Sequence, residues 1–531
     1  MSFFMVLFLP FTLYAQTVRT IKGDCTPQLS SNDGATEPLG GRRLRRLPYI
    51  NTKWDSTRVY RQAVILVSFS DVDFKSATPR ETFDSIFNVE GYNVRLGPGC
   101  VAEYFRKQSE GWFNLQFDVY GPIKVGKKAQ PYSNPTEDTR NYGKDVFVEA
   151  TKIVRDELKV DFTPYDWDGD GEVEQIIYVY AGLTGNQSAS VCYGHIWPNT
   201  GSFEEIVAGD VTISEYTASA ELWYNSSSCG IGTICHEFSH SLGLPDIYPT
   251  VDGAGYSVVD EWDLMDGGNF TNYGSCPPNY TPLEKMLLGW LKPVELTEPT
   301  RVRGLKTVDE GGVVYKVSHT KNEYYLIENR QQKGWDLGLP GRGLLVYHVN
   351  YSNSAWNTNR VNVSNNRRFE LIPADGMDYD DWDKLIEQGH KNYANKGLMN
   401  SYILSGSPYP WTNSDSTKVN NELSNDSNPP SLMQTTNDDS HYLSKSITNI
   451  TMHGDGTVSF NFMGEDFLKG DVNGDGGVDV ADISAIITYM TIGDNKNVRL
   501  MDADVNGDGE VDVADISATI TVMINEGKAD E

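Results

Sequence analysis

The chain has 531 residues, with 44 Lys or Arg against 73 Asp or Glu, so its formal net charge is −29. This acidity argues against a phosphate-backbone partner, and no nucleic acid is expected as a ligand. Hydrophobic residues make up 39% and aromatic residues 11% of the chain, which is too much core-forming material for a disordered protein. The composition therefore predicts a folded chain of several domains.

The first element in chain order is an apolar run at 3–13, followed by the small residue Ala15. Its length predicts a signal peptide over 1–15, with a buried N-terminal strand as the alternative. Residues 16–58 lack apolar periodicity and are predicted to be a propeptide or linker. No later run approaches the ~18 apolar residues that span a bilayer, so we expect a secreted protein without a transmembrane anchor.

Strand and helix patterns alternate over the next part of the chain. The runs 63–69 and 176–180 are typical of buried strands. The segments 101–108 and 146–158 have apolar residues three and four positions apart, which predicts helices. This alternation predicts an α+β fold class for a domain at 59–294.

The region 295–464 has a different texture, with short apolar runs bounded by Gly, Asn and Pro. The runs lie at 313–317, 324–327, 343–349 and 458–462. Such a pattern predicts a mostly β, sandwich-like domain, and the polar stretch 420–440 is expected to be a long loop.

Two histidines four residues apart are the most informative feature of the sequence. His236 and His240 lie on one side of a predicted helix, away from its apolar stripe, and this spacing lets both imidazoles reach one metal ion. Glu237 projects from an adjacent face, where its carboxylate can hold an attacking water. Gly243 breaks the helix, so Asp246 can supply a third ligand and leave a fourth position open.

The histidine motif has two alternative interpretations, and Met265 downstream has one. A solvated helix face with two ordinary histidines is one, but a chance match is expected only ~0.01 times in a chain of this composition. A cysteine protease using Cys235 is another, yet adjacency to His236 does not give the geometry of a Cys–His pair. Downstream, Met265 falls in a tight turn where its thioether can pack beneath the metal site, unless it is a plain core methionine.

The segment HEFSHSLGLPD at 236–246, with WDLMDGG at 262–268, resembles the metzincin zinc proteases, in the Asp-ended form of the immune inhibitor A family of bacterial metalloendopeptidases. Further similar segments at 99–111, 165–171 and 323–331 extend the resemblance over roughly 60–350. It implies a zincin catalytic domain in a secreted endopeptidase.

By the same resemblance, His236, His240 and Asp246 bind one zinc ion, and Glu237 is the general base and acid. Met265 would form the Met-turn. Gly267 stands where several metzincin groups have a tyrosine, so no tyrosine is assigned to stabilise the oxyanion.

A twelve-residue acidic loop occurs twice near the C-terminus, with a spacing of 33 residues. Oxygen ligands at positions 1, 3, 5, 9 and 12, a Gly at position 6 and the backbone of position 7 predict a calcium loop. The two sets of candidate ligands are Asp471, Asn473, Asp475, Gly477, Asp479 and Asp482, then Asp504, Asn506, Asp508, Glu510, Asp512 and Asp515.

Each loop leads directly into an apolar helix, and this duplicated loop-helix resembles a type I dockerin, here assigned to 465–531. The resemblance implies a cohesin-like partner that contacts Val480, Ala481, Val513 and Ala514. A calcium-stabilised terminal module without a partner is the alternative.

A shorter acidic segment, Asp166, Asp168 and Asp170, begins like the same loop but lacks a ligand at position 12. It is a further candidate calcium site, and the alternative is that these residues only satisfy turn geometry.

Together the motifs predict a secreted zinc metalloendopeptidase with a protein or peptide substrate, one zinc ion and at least two calcium ions. One alternative is a catalytically inactive, calcium-dependent binding or attachment protein. Another is a zinc hydrolase of non-protein substrates.

Overall fold

The computed structural model describes residues 54–526 except for 93–94, 96, 131–142, 187–189, 251–256, 364–366, 378–404, 414, 436–440, 465–469, 474–476, 494–497, 499 and 509. The predicted signal peptide 1–15 and most of the predicted propeptide or linker lie outside the described residues. Among the helices of the described part, none is long and apolar enough to cross a bilayer.

The N-terminal part of the described chain is built on a five-stranded sheet of order β2-β1-β3-β5-β4. Its strands are β1 Val59–Ser68, β2 Asn114–Lys124, β3 Ile176–Leu183, β4 Asn199–Ala208 and β5 Val211–Leu222. Neighbouring strands are parallel, except that β4 runs antiparallel to β5 at the edge. The alternation of side chains along β1 gives the sheet two buried faces, with Val64 on one and Ile65 on the other.

Helices cover both faces of this sheet. The helices are α1 Pro79–Asn88, α2 Val101–Gln108, α3 Lys144–Asp156, α4 Gly232–Ser241 and α5 Pro282–Leu287. The apolar stripe of α3, which includes Phe147 and Val154, belongs to the core on one face, whereas Phe105 of α2 and Phe238 of α4 belong to the core on the other. The predicted helix 101–108 has the predicted bounds, and the helix predicted at 146–158 begins and ends two residues earlier.

The region that follows contains two main sheets. One has the order β11-β10-β9-β8-β6 and the other the order β14-β15-β7, and a short hairpin pairs β12 with β13. The bounds are β6 Val294–Glu295, β7 Thr300–Leu305, β8 Tyr315–Ser318, β9 Glu323–Arg330, β10 Gly343–Asn350, β11 Phe369–Leu371, β12 Trp411–Thr412, β13 Val419–Asn420, β14 Ile447–Met452 and β15 Val458–Phe462. The described residues of this region also include the helix α6 Asn353–Asn357.

The strand β9 shows how this region joins the N-terminal part. Tyr325 and Ile327 face the three-stranded sheet, in a core shared with Phe460 of β15. Tyr324 and Leu326 point the other way, into the core that also contains Phe238 of α4. One hydrophobic core therefore runs across the predicted boundary at 294/295, and that boundary stays a prediction.

The C-terminal part consists of α7 Val480–Ile492, α8 Leu500–Ala503 and α9 Val513–Glu526 around a small core with Val472 and Ile486. Arg301 of β7 forms a close ion pair with the buried Asp502 of α8. The described chain thus has a mixed α+β architecture with several sheets, which confirms the predicted class at that level.

A buried histidine links three strands of the second region through two carboxylates. His348 of β10 contacts Glu323 of β9 (Nε2–Oε1, 2.8 Å) and Glu370 of β11 (Nδ1–Oε1, 3.1 Å). Glu323 also accepts the backbone N–H groups of Gln434 and Thr435 (2.6 and 2.9 Å). Burial alone would lower the pKa of His348, but the two carboxylates outweigh it and raise that pKa to about 9.

We expect this histidine to make stability depend on pH. Its folded-state pKa of about 9 lies above the unfolded value of ~6.5, so its stabilisation is fully present below ~6.5 and is lost as the pH rises through about 9. In thermal unfolding between pH 6 and pH 9.5, His348→Gln should lose stability mainly at the acidic end, by on the order of 1–3 kcal/mol. The exposed His441→Gln variant is the matched control, and a cost for His348→Gln that does not fall with pH would contradict the expectation.

Candidate metal centre

The helix α4 is fixed by close backbone contact with a neighbouring loop. The N–H groups of Ile231 and Gly232 both donate to the carbonyl oxygen of Gly274 (2.8 and 2.7 Å). A Cβ atom at Gly232 would lie 2.0 Å from the carbonyl oxygen of Asn269. Glycine at this position therefore lets the two backbones approach, which sets where the helix begins.

The amphipathic pattern of α4 separates its core residues from its polar ones. Ile234 and Phe238 are buried in the core beneath the five-stranded sheet. After the helix ends at Ser241, Gly243 adopts a φ of 100°, a conformation that favours glycine, and the chain turns back toward the helix. This reversal brings Asp246 to the side of α4 that carries the two histidines.

The three predicted zinc ligands meet at one point. The Nε2 atoms of His236 and His240 lie 3.2 and 3.3 Å from the same oxygen, Oδ1 of Asp246. All three residues are buried, and their ligand atoms lie within 4.8 Å of one another. The structure thus brings together the full set that sequence spacing predicted.

Backbone carbonyl groups orient both imidazoles. Nδ1 of His236 donates to the carbonyl oxygen of Leu264 (2.8 Å), and Nδ1 of His240 donates to that of Leu244 (2.7 Å). A neutral imidazole with its proton on Nδ1 carries its lone pair on Nε2, which is the form that can bind a metal ion. Carbonyl acceptors of this kind are the usual second partners of metal-binding histidines.

The donor set fits a zinc ion. Oδ1 of Asp246 is a buried oxygen without a hydrogen-bond partner, and a charged atom in that state is costly unless a cation or donor compensates it. Two imidazole nitrogens and one carboxylate oxygen form a ligand set that zinc accepts in hydrolytic sites. The residues present can therefore hold the metal that the sequence predicts.

The charge of Asp246 is stabilised by its neighbours. Burial alone would raise its pKa, but the imidazoles of His240 and His236, when both of their nitrogens are protonated, outweigh this and hold the pKa well below its usual range. Oδ2 of Asp246 also accepts a hydrogen bond from Nδ2 of Asn359 (2.7 Å). Asp246 is therefore ionised at neutral pH, as a metal ligand must be.

Glu237 lies beside the ligands and contacts the edge strand β4. Oγ1 of Thr200 lies 3.1 Å from Oε2 of Glu237 and 2.7 Å from its backbone carbonyl oxygen. Burial raises the pKa of Glu237, and the neighbouring imidazoles oppose that shift. The carboxylate is thus placed between the candidate metal ligands and the edge of the sheet.

Met265 lies in the turn that supports His236. It is fully buried, its N–H donates to Oδ1 of Asp263 (2.6 Å), and its carbonyl oxygen accepts the N–H of Ile247 (2.9 Å). The preceding residue, Leu264, supplies the acceptor for His236. This turn therefore links the ligand helix to the segment that carries Asp246.

Three site residues were missed by sequence reasoning. Thr200 and Asn359 belong to segments distant from the motif, with Asn359 113 residues beyond Asp246. The ring of Tyr248 stacks on His236 at 6.4 Å between centroids, and burial together with the nearby carboxylates of Asp246 and Glu237 raises the pKa of its hydroxyl well above the usual value. No motif marks Thr200 or Asn359, whereas Tyr248 lies two residues beyond the predicted ligand.

Cys235 lies in the hydrophobic core. Its side chain is fully buried, and burial raises the pKa of its thiol well above the usual value. A reactive thiolate needs an exposed or electropositive setting, so the cysteine-protease alternative is excluded.

The acidic turn at 166–174 forms a second cluster of potential ligands, with a different membership from the predicted one. Carboxylate oxygens of Asp166 and Asp168 lie within 4.8 Å of one from the buried Glu174. Asp170 lies outside this group, and its Oδ1 accepts the N–H of Glu172 (2.9 Å). Glu174 was missed because it follows the turn by three residues and precedes β3.

The two C-terminal loops close in the same way. Asp482 accepts the N–H groups of Asn473 and Asp479 (2.9 and 2.8 Å). In the second loop, Asp515 accepts those of Asn506 and Asp512 (3.0 and 2.8 Å). The position-12 carboxylate of each loop is buried, which draws positions 3 and 9 toward it.

The other predicted calcium ligands lie along these loops, apart from Asp475, which is outside the described residues. Asp504 accepts the N–H groups of Gly507 and Asp508 (2.8 and 3.1 Å), and Asp508 accepts that of Glu510 (3.0 Å). Asp471 is buried, and Gly477 follows the gap in the first loop. The predicted partner-binding residues Val480, Ala481, Val513 and Ala514 are all exposed.

Comparisons with known protein families match two segments of the chain. Residues 188–288 match the family model "Immune inhibitor A peptidase M6, catalytic domain", and residues 469–521 match "Dockerin type I domain". The chain contains an M6 peptidase domain and a type I dockerin domain. Both predicted resemblances are thereby confirmed, and the M6 match includes every candidate zinc ligand.

Two curated relatives are similar to part of the chain. Immune inhibitor A of Bacillus thuringiensis subsp. alesti is 24% identical over 303 residues, which cover 47% of this chain and 43% of the relative. Pre-pro-metalloprotease PrtV of Vibrio cholerae serotype O1 (strain M66-2) is 20% identical over 274 residues, covering 44% of this chain and 28% of the relative. The matched part spans less than half the length of these relatives.

We expect Gly232→Ala to displace the ligand helix of the M6 domain. Alanine is the better helix former, but its Cβ would overlap the carbonyl oxygen of Asn269, and overpacking of this kind costs about 1–3 kcal/mol. Thermal unfolding should show a lower midpoint, and the purified variant should retain less metal. Gly454→Ala, where a Cβ meets nothing within 4 Å, is the control and should change neither. A wild-type midpoint for Gly232→Ala would contradict the expected overlap.

Proposed function

We propose that this chain is a zinc metalloendopeptidase that hydrolyses peptide bonds of proteins. The observation that carries the proposal is the convergence of His236, His240 and Asp246 on one point with Glu237 beside them. The match of residues 188–288 to an M6 peptidase catalytic domain supports it, as does the similarity to a protein named as a metalloprotease. Secretion stays a prediction that rests on the apolar run at 3–13.

The chemistry follows from the residues around the metal position. A zinc ion held by the three ligands would activate a water molecule and polarise the carbonyl group of the peptide bond. Glu237 would take the proton at its carboxylate and return it to the leaving amine. Thr200 would keep the carboxylate in place through its hydroxyl group.

The edge strand β4 offers a position for the substrate. Within the described sheet, β4 pairs with β5 on one side only, and Thr200 of β4 contacts Glu237. An extended peptide added to such an edge gains main-chain hydrogen bonds whatever its side chains. We therefore propose that the substrate binds along β4 and crosses the site beside Glu237.

Glu237→Gln tests the proposed general base. The amide keeps the size of the side chain but cannot accept the proton, so we expect zinc to remain bound at about one equivalent while casein cleavage falls at least ~100-fold. Metal content by elemental analysis and cleavage of labelled casein in calcium buffer measure the two effects. The exposed Glu81→Gln variant on α1 is the matched control and should keep both.

The outcomes separate the hypotheses. Zinc without cleavage in wild type and variant alike would favour the inactive binding protein over the endopeptidase. Cleavage of small esters but not of casein or peptides would favour a hydrolase of non-protein substrates. Absence of zinc from the wild type would overturn the metal assignment.

We further propose that the dockerin-type part binds two calcium ions and docks to a cohesin-like module. The closed loops around Asp482 and Asp515 support the calcium part. Val480 and Val513, 66% and 64% exposed, support the docking part because they present apolar surface at equivalent positions of α7 and α9. Asp166, Asp168 and Glu174 form a candidate site for a third calcium ion.

Removal of one loop carboxylate at a time tests calcium binding. Asp482→Ala and Asp515→Ala should each lower the calcium stoichiometry of the whole chain by one equivalent, since each loses the ligand that closes its loop. The double variant should lose two, as measured by titration calorimetry of the chelator-treated protein. Each single variant is the control for the other loop, and unchanged stoichiometry would argue against calcium in these loops.

A further inference from the structure

A segment of the second region clamps the loop that carries Asp246. The backbone N–H of Asp246 donates to Oδ1 of Asn359 (2.7 Å), and Nδ2 of Asn359 donates to Oδ2 of Asp246 (2.7 Å). These two bonds form a closed ring between one amide side chain and one residue. The pairing fixes which amide atom is the donor and which is the acceptor.

Asn359 is held in place independently of Asp246. It follows α6, its N–H donates to the carbonyl oxygen of Trp356 (3.2 Å), and the ring of Trp356 is buried in the core shared with α4. Its φ of 53° lies in the left-handed region, which asparagine tolerates better than most residues do. The side chain therefore reaches Asp246 from a rigid support.

Neighbouring contacts tie the two segments together at the level of the backbone. Oγ1 of Thr250 donates to the carbonyl oxygen of Asn359 (2.5 Å). Nδ2 of Asn362 donates to the carbonyl oxygens of Ile247 (2.9 Å) and Phe369 (2.8 Å). Loss of the Asn359 side chain alone would thus leave the loop attached.

The effect on Asp246 is one of orientation. Its Oδ2 is occupied by the amide of Asn359, while its Oδ1 faces the Nε2 atoms of both histidines. A carboxylate fixed in this way offers a single oxygen to the metal position. Without the amide, rotation about the Cβ–Cγ bond would let either oxygen, or both, face the histidines.

We infer that Asn359 is a positioning residue for the metal centre, which it completes from outside the predicted catalytic domain by fixing the ligand oxygen of Asp246. The inference rests on the proposed zinc site. Partners of this kind in metal sites contribute about 10–100-fold to metal affinity.

Two variants separate the side-chain bonds from the backbone conformation. Asn359→Gly keeps the left-handed backbone and removes both bonds, while Asn359→Asp keeps the acceptor for the N–H of Asp246 but lacks the amide donor. Asn449→Gly, at an exposed asparagine with a φ of 52° in β14, is the matched control. All are compared with the wild type as full chains.

The readouts are zinc affinity, by competition with a chromogenic chelator, and the visible spectrum of the cobalt-substituted protein, which reports ligand geometry. We expect Asn359→Gly to bind zinc about 10–100-fold more weakly. Both Asn359 variants should have an altered cobalt spectrum, and Asn449→Gly should match the wild type.

Wild-type zinc affinity and cobalt spectrum in Asn359→Gly, in a protein whose wild type binds zinc, would overturn this inference and leave the proposed function intact. A wild-type spectrum in Asn359→Asp alone would overturn the role of the amide donor. Absence of zinc from the wild type would overturn the proposed function and this inference together.

Discussion

The site depends on a buried negative charge. Asp246 is only 4% exposed, and burial of an uncompensated carboxylate would cost several kcal/mol. Two imidazoles and the amide of Asn359 contact it and offset this cost, against the like charge of the neighbouring Glu237. These groups and Asp246 belong to α4, the loop after it and the segment beyond α6. The carboxylate is therefore stabilised only when these three parts of the chain lie together.

The continuous hydrophobic core brings these three parts of the chain together. The strands β9 and β10 bury one face against the three-stranded sheet and the other against the core that includes α4. The segment after α6 is anchored in that same core by Trp356, so it cannot move far from the ligand helix. The second region therefore helps to support the candidate metal centre.

Sequence reasoning reached the parts of the site that are local in the chain. His236, His240 and Asp246 lie within eleven residues, and the geometry of a helix and one glycine turn is enough to bring them together. The bounds of α2 followed equally from its own periodicity. Glu174 was missed although it lies only a few residues after Asp166 and Asp168. The motif at 166–171 predicts the ligand spacing of a calcium loop, but the chain enters β3 soon after the motif and does not complete such a loop.

Asn359 and Thr200 could not be predicted from the sequence, for a different reason. The role of Thr200 depends on which strand lies at the edge of a sheet, and the role of Asn359 depends on how the sheets pack. Neither feature can be predicted from the sequence close to the residue. A single asparagine in a polar segment has no feature that separates it from the others until the fold places it against a buried carboxylate. Distant contacts of this kind need tertiary structure.

The repeated loops show the same limit at the other end of the chain. Their sequences are nearly the same, and their position-12 carboxylates make equivalent hydrogen bonds. Their electrostatic surroundings differ, since Arg301 pairs with Asp502 and Arg303 is influenced by both Asp502 and Asp504 at the start of the second loop. The positive charge of the nearby arginines opposes the binding of a cation at Asp504. Equal sets of ligands therefore do not imply equal affinities of the two loops for calcium.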